Sequence, residues 1–71
     1  MTAWTWRYER TDGSVVTEVP EGTPESFPAQ ADAESWIGEV WRDLLDHGVD
    51  AVTLLEGDRV VYGPMSLHPP A

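Results

Sequence analysis

Residues 30–49, QADAESWIGEVWRDLLDHGV, decide the fold of this chain. Apolar residues recur at Ala33, Trp36, Ile37, Val40, Trp41, Leu44 and Leu45, the i, i+3, i+4, i+7 spacing of a helix with one buried face. Asp32 either caps the helix start or lies in its first turn, where the dipole favours a carboxylate. Gly48 followed by Val49 predicts a Schellman ending, with glycine as the left-handed residue and Val49 packed back on Leu44. The apolar stripe spans about 180° of the helix, wider than one sheet requires. Trp36 and Trp41 fall on its opposite rims. Gly38 lies on the Trp41–Leu45 side, where a missing side chain lets another backbone come close.

Working outward, the flanks read as strands. Residues 4–10, WTWRYER, alternate aromatic and polar side chains, the period of a half-buried strand. Asp12-Gly13 is a two-residue hairpin signal, and Ser14–Val19 is the expected return strand. That loop sets Glu9 opposite Val16, Arg7 opposite Glu18 as an ion pair, and Trp6 opposite Val19. Trp4, Trp6, Tyr8, Val15, Thr17 and Val19 then share one face. Residues 20–29, PEGTPESFPA, carry three prolines and two glutamates and form an acidic connecting loop. Phe27 is its one large apolar residue and is expected under the helix start.

After the helix, Ala51–Glu56 and Arg59–Tyr62 make a second hairpin about Gly57-Asp58. Its register pairs Glu56 with Arg59, Leu55 with Val60, Leu54 with Val61, and Thr53 with Tyr62. Gly63-Pro64 is expected to end the ladder, since proline has no N–H to donate. Residues 65–71 are read as an extended tail with polyproline character at its end, and residues 1–3 as a frayed start. The fold class is therefore α+β, β-β-α-β-β: one domain over residues 1–71, with a four-stranded, mainly antiparallel sheet and one helix on one face. Strand order 2-1-3-4 makes every neighbour antiparallel and is favoured over 2-1-4-3.

Composition narrows the chemistry. Seventy-one residues without cysteine allow only a small core with no disulfide or thiolate metal site. Four tryptophans compensate in part; oligomerisation is another usual remedy. The net charge of −9, from 13 acids against 4 bases, disfavours direct nucleic-acid binding. It suits a protein partner, a basic one included. All four bases are arginine, with no lysine or asparagine, a bias of GC-rich genomes. No apolar run suggests a leader or a membrane span, so the expected compartment is the cytoplasm and no membrane partner is expected.

Catalytic patterns are missing. His47 precedes the helix-ending glycine, where a cation suits the dipole, and His68 lies in the proline-rich tail. Neither has zinc-ligand spacing. No serine sits in a nucleophile elbow, and there is no phosphate loop or dinucleotide fingerprint. A domain this small rarely encloses a substrate cleft. No enzyme activity, cofactor or metal is expected. Trp4, Trp6 and Tyr8 are assigned to the core under the helix, with a base- or sugar-stacking role as the alternative.

Surplus apolar surface is the positive signal. Val52, Leu54 and Val61 make one face of the second hairpin and Leu55, Val60 and Tyr62 the other; one helix covers only one. Leu55, Val60, Tyr62, Trp36 and Trp41 are accordingly the candidate interface, for a homodimer or another protein partner. The tail, the loop and Met65 covering the excess is the competing reading. Glu39, Asp43 and Asp46 form a candidate acidic face, read first as a solvated helix side and second as a surface competing for a basic protein.

The stretches WTWRYER-TDG, QADAESWIGEVWRDLL and GVDAVTLLEGDRVVYGPMSL resemble short, acidic, uncharacterised proteins of high-GC actinobacteria. That resemblance implies no activity, cofactor or catalytic residue. Between Phe27 and Met65, the run F-x-x-Q-A-D-A-E, a helix, a Gly-Val turn, a strand and V-Y-G-P is similar to part of the SPOR repeat, which binds peptidoglycan glycan strands. The second helix and final strand of that repeat have no counterpart here, and its glycan-binding residues are not carried over. Together these features point to a non-catalytic, self-associating interaction module. A small-ligand or glycan binder and an acidic inhibitor of a nucleic-acid-binding protein are the alternatives.

Overall fold

A computed structural model of the chain describes residues 3–69. Its elements are β1 (Trp4–Glu9), α1 (Gln30–Asp46), β2 (Ala51–Glu56) and β3 (Arg59–Ser66). The strands form one antiparallel sheet in the order β1-β2-β3, with α1 across one face. The frayed start expected at Met1–Thr2 and the tail's end at Pro70–Ala71 lie outside the described residues.

Helix α1 buries the stripe its spacing predicts. Ala33, Ile37 and Leu44 are buried, and Trp36, Val40, Trp41 and Leu45 pack against the same core. Ala33 has only a methyl group to hold the sheet off, so the Trp6 indole reaches the helix backbone and its Nε1–H donates to the Ala33 carbonyl at 3.0 Å. Ala29 occupies the cap position without a side-chain bond, and Asp32 lies in the first turn. The exit is a full Schellman motif: Val49 N–H donates to the Leu44 carbonyl and Gly48 N–H to that of Leu45, both at 3.0 Å. Gly48 has φ +90°, and Val49 is fully buried with Leu44.

The four-stranded sheet does not form, because Ser14–Val19 supplies no strand. The turn after β1 has three residues rather than two. Gly13 N–H donates to the Arg10 carbonyl and Arg10 N–H to the Ser14 carbonyl, each at 2.9 Å. Gly13 at φ +88° is the left-handed residue of a bulged hairpin loop. Asp12 stabilises it by accepting from both the N–H and the hydroxyl of Ser14. The extra residue slips the register by one, so Glu9 bridges Val15 instead of Val16. A one-residue slip exchanges faces: Val16 is buried, whereas Val15 is 54% exposed. Arg7 consequently meets Glu9, at 3.6 Å, and not Glu18, and Trp6 stands opposite Leu54 rather than Val19.

The chain leaves the sheet after Val16 and returns at Phe27, which exchanges two backbone hydrogen bonds with Trp4, at 3.0 and 2.7 Å. Two short bridges thus cover the ends of the outer edge of β1, as an edge strand requires. Phe27 is buried and tilted against Trp36, ring centroids 5.3 Å apart, under the start of the helix.

In the second hairpin Glu56 faces Arg59 and Leu55 faces Val60 as expected. Beyond them the ladder is irregular on both sides of Leu54. An extra residue on β3 carries Tyr62 opposite Leu54, in place of Val61, so Tyr62 turns to the helix side and does not face Thr53. Nor does Gly63-Pro64 end the strand: β3 runs on to Ser66, with Val52 paired to Met65 and Ala51 to Ser66. Proline is tolerated there because β3 is the sheet edge. The expected free tail therefore begins after Ser66, and its Leu67 is buried in the core.

Candidate functional site

The five residues expected to form one interface fall in four places. Leu55 and Val60 are cross-strand neighbours on the sheet face away from α1; Leu55 is half-buried and Val60 49% exposed. Little else there is apolar. Thr53 is buried and its hydroxyl donates to the carboxylate of the buried Glu9, so this polar pair occupies the middle of the face. Tyr62 lies on the opposite side, edge-on to Trp6 at 6.2 Å, and its hydroxyl donates to Glu34 Oε2 at 2.8 Å. Burial first, and the Glu34 bond and charge second, push the Tyr62 pKa up to about 12. Trp36 is wedged between Phe27 and Tyr8; burial likewise pushes Tyr8 up to about 12.

Trp41 is the one candidate beside a large unfilled space. An apolar groove of about 340 Å³ runs between α1 and the end of β3, walled by Ile37, Gly38, Trp41, Met65, Leu67 and Pro69. Trp41 and Leu67 are packed into the core below, while Met65 is 40% exposed. The Arg42 guanidinium lies over the Trp41 ring, 5.0 Å from its centroid. Gly38 is exposed, and a Cβ built on it meets nothing within 4 Å. Mid-helix glycine costs about 0.5–1 kcal/mol relative to alanine, and no contact among the described residues accounts for it. The helix side of the groove follows from Trp41 and Gly38 on one rim. Met65 and the tail residues Leu67 and Pro69 enter the sequence reading only as a cover for surplus apolar surface, not as part of the candidate interface; the signal that places them is the alternation of Met65 and Leu67 beyond Pro64.

The acidic face is exposed throughout: Glu39, Asp43 and Asp46 point away from the sheet and have no ion-pair partner among the described residues. Asp43 also borders a smaller hollow of about 130 Å³ with Glu21 and Trp36. His47 keeps its structural role, its Nδ1 2.8 Å from the Asp43 carbonyl at the helix end.

A second cluster ties down the chain's last described residues. His68 Nε2 lies 2.7 Å from Asp50 Oδ1, and Asp50 Oδ2 accepts from Thr11 N–H at 3.1 Å. Asp50 also bonds through its backbone to Glu9 and Leu67. The His68 hydrogen bond holds the Asp50 carboxyl below its ordinary range. Nε2 is thus engaged by the carboxylate, and Ser66 Oγ accepts from the His68 backbone N–H rather than facing the ring; this is not the arrangement of a nucleophilic triad.

No family model matches the chain, and no curated protein or solved structure matches it. Among the described residues no group of three or more His, Cys, Asp or Glu is placed to hold a metal ion, and no helix is long and apolar enough to cross a membrane.

Proposed function

We propose that this chain is a non-catalytic protein-interaction module that binds a second copy of itself. The observation that carries this reading is the groove between α1 and β3. It is almost wholly apolar, it ends on the half-buried Trp41, and no side chain among the described residues fills it. An apolar hollow of this size on so small a protein marks an interaction site. Leu55 and Val60, too few to form an interface alone, fit its margin less well than they fit an exposed strand pair.

Sedimentation equilibrium across micromolar concentrations tests the proposal. A dimer of the 7.9 kDa chain is expected, lost when Met65→Asp places a charge in the groove wall while the helical circular dichroism is kept. A single monomeric species at every concentration would end the self-association reading. The acidic face supports a second reading, competition for a basic protein, because Glu39, Asp43 and Asp46 have no ion-pair partner among the described residues. Salt separates the two: a carboxylate-driven complex weakens steeply between low and physiological ionic strength, and an apolar one does not.

A further inference from the structure

The side of α1 that borders the groove, exposed but for the half-buried Trp41 and Leu45, carries a symmetric arrangement about Gly38. Counting outward from Gly38, Glu34 and Arg42 stand four residues to either side, Ser35 and Trp41 three, and Ala31 and Leu45 seven. Each couple is opposite in charge or pairs a small side chain with a large one. Glu34, Gly38 and Arg42 form one i±4 row, the kind of row that aligns when two helices cross in the commonest packing class. Two copies related by a two-fold axis at Gly38 would run antiparallel. Residue 34 of one then stands level with residue 42 of the other, and 35 with 41.

We infer that α1 packs antiparallel on α1 of a second copy across Gly38, with Glu34 and Arg42 forming two symmetric ion pairs. This rests on the self-association reading and names its surface. Three observations support it independently of the spacing. The open space at Gly38 lets the second backbone approach where a side chain would hold it off. Arg42 has no ion-pair partner among the described residues, and its guanidinium lies over the ring of Trp41, which lines the groove. Glu34 accepts from Tyr62 and Gln30 through a single oxygen, Oε2, so its other oxygen is open to a guanidinium. Glu39, Asp43 and Asp46 lie roughly 80–140° around the helix from Gly38 at 100° per residue, so the most acidic side turns away from the contact. A two-fold contact of one patch with itself is the closed solution for such a surface. The adjoining groove supplies room for apolar side chains of the second copy.

Sedimentation equilibrium on charge variants decides it. Arg42→Glu or Glu34→Arg alone sets like charges against each other at both ends of the contact, and each should raise the dimer dissociation constant by roughly tenfold or more. The double exchange E34R/R42E restores opposite charges and should return it to within about threefold of the parent. Gly38→Leu should abolish the dimer with the helical signal intact, since its side chain enters open space in the monomer. A dimer indifferent to all of these would overturn the inference while leaving self-association standing. A parent chain that never dimerises would overturn both.

Discussion

At the scale of single residues, the buried stripe of α1 and its exposed flank should respond very differently to truncation. Leu44 is fully buried and also supplies the carbonyl that accepts from Val49. Leu44→Ala should cost about 2–5 kcal/mol, a large share of what a domain of this size holds. Glu39 is exposed and has no ion-pair partner among the described residues, and Glu39→Ala should change stability by less than about 0.5 kcal/mol. Urea titrations of the two variants check this, and equal midpoints would refute the assignment of faces. These positions are legible in the sequence because helix periodicity is local: Ala33, Ile37 and Leu44 follow from spacing alone. Tyr62 is not. Its side of the sheet depends on an extra residue in β3, which no alternation pattern in Arg59–Tyr62 announces.

At the scale of elements, two glycines in similar-looking surroundings should behave oppositely. Gly63 in β3 has φ +126°, and a Cβ there would stand 2.7 Å from Thr53 Cα and 2.9 Å from its Oγ1. That hydroxyl holds the buried Glu9 carboxylate, so it is not free to move aside. Gly63→Ala should cost about 1–3 kcal/mol from crowding alone. Gly38→Ala meets open space and should raise helix stability by about 0.5–1 kcal/mol. Thermal melts in dilute solution measure both, and shifts of the same sign would contradict the packing described. The elements also show where sequence reasoning stops. The Schellman exit and the Glu56–Arg59 pair depend on residues a few positions apart, and both are as expected. Asp12-Gly13 suits a two-residue or a three-residue loop, and the choice moves every residue from Ser14 to Val19. Proline at 64 argues against a central strand but not against an edge, and which strand is the edge is a long-range fact. For the same reason Trp41 and Gly38 mark the groove in the sequence while Met65, Leu67 and Pro69 do not.

At the scale of the whole molecule, stability should fail on the alkaline side as a unit. Tyr8 and Tyr62, on β1 and β3, both keep their protons to about pH 12 in the folded state, whereas an unfolded tyrosine ionises near 10. Below pH 10 both states hold these protons and the contribution is fully present. Between about 10 and 12 the unfolded chain releases them first, so stability falls as pH rises through that window. Circular dichroism and tyrosinate absorbance should change together there. Tyr8→Phe should move the alkaline midpoint upward, and an unmoved midpoint would show that Tyr8 ionises freely.

The pairing of β1 with β2 has a consequence for the growing chain. Trp4 finds its partner at Glu56 and Glu9 at Ala51, about 40 residues or more later, a separation that makes strand pairing slow to begin. During synthesis β1 emerges first and has no sheet to join until translation has passed residue 56. Helix α1, whose bonds are local, can form well before that. Until residues 51–56 have been made and have left the ribosome, Trp4, Trp6 and Tyr8 are aromatic residues on an unpaired strand, a binding target for chaperones and an aggregation hazard once they emerge. They become a core only when the last third of the chain arrives.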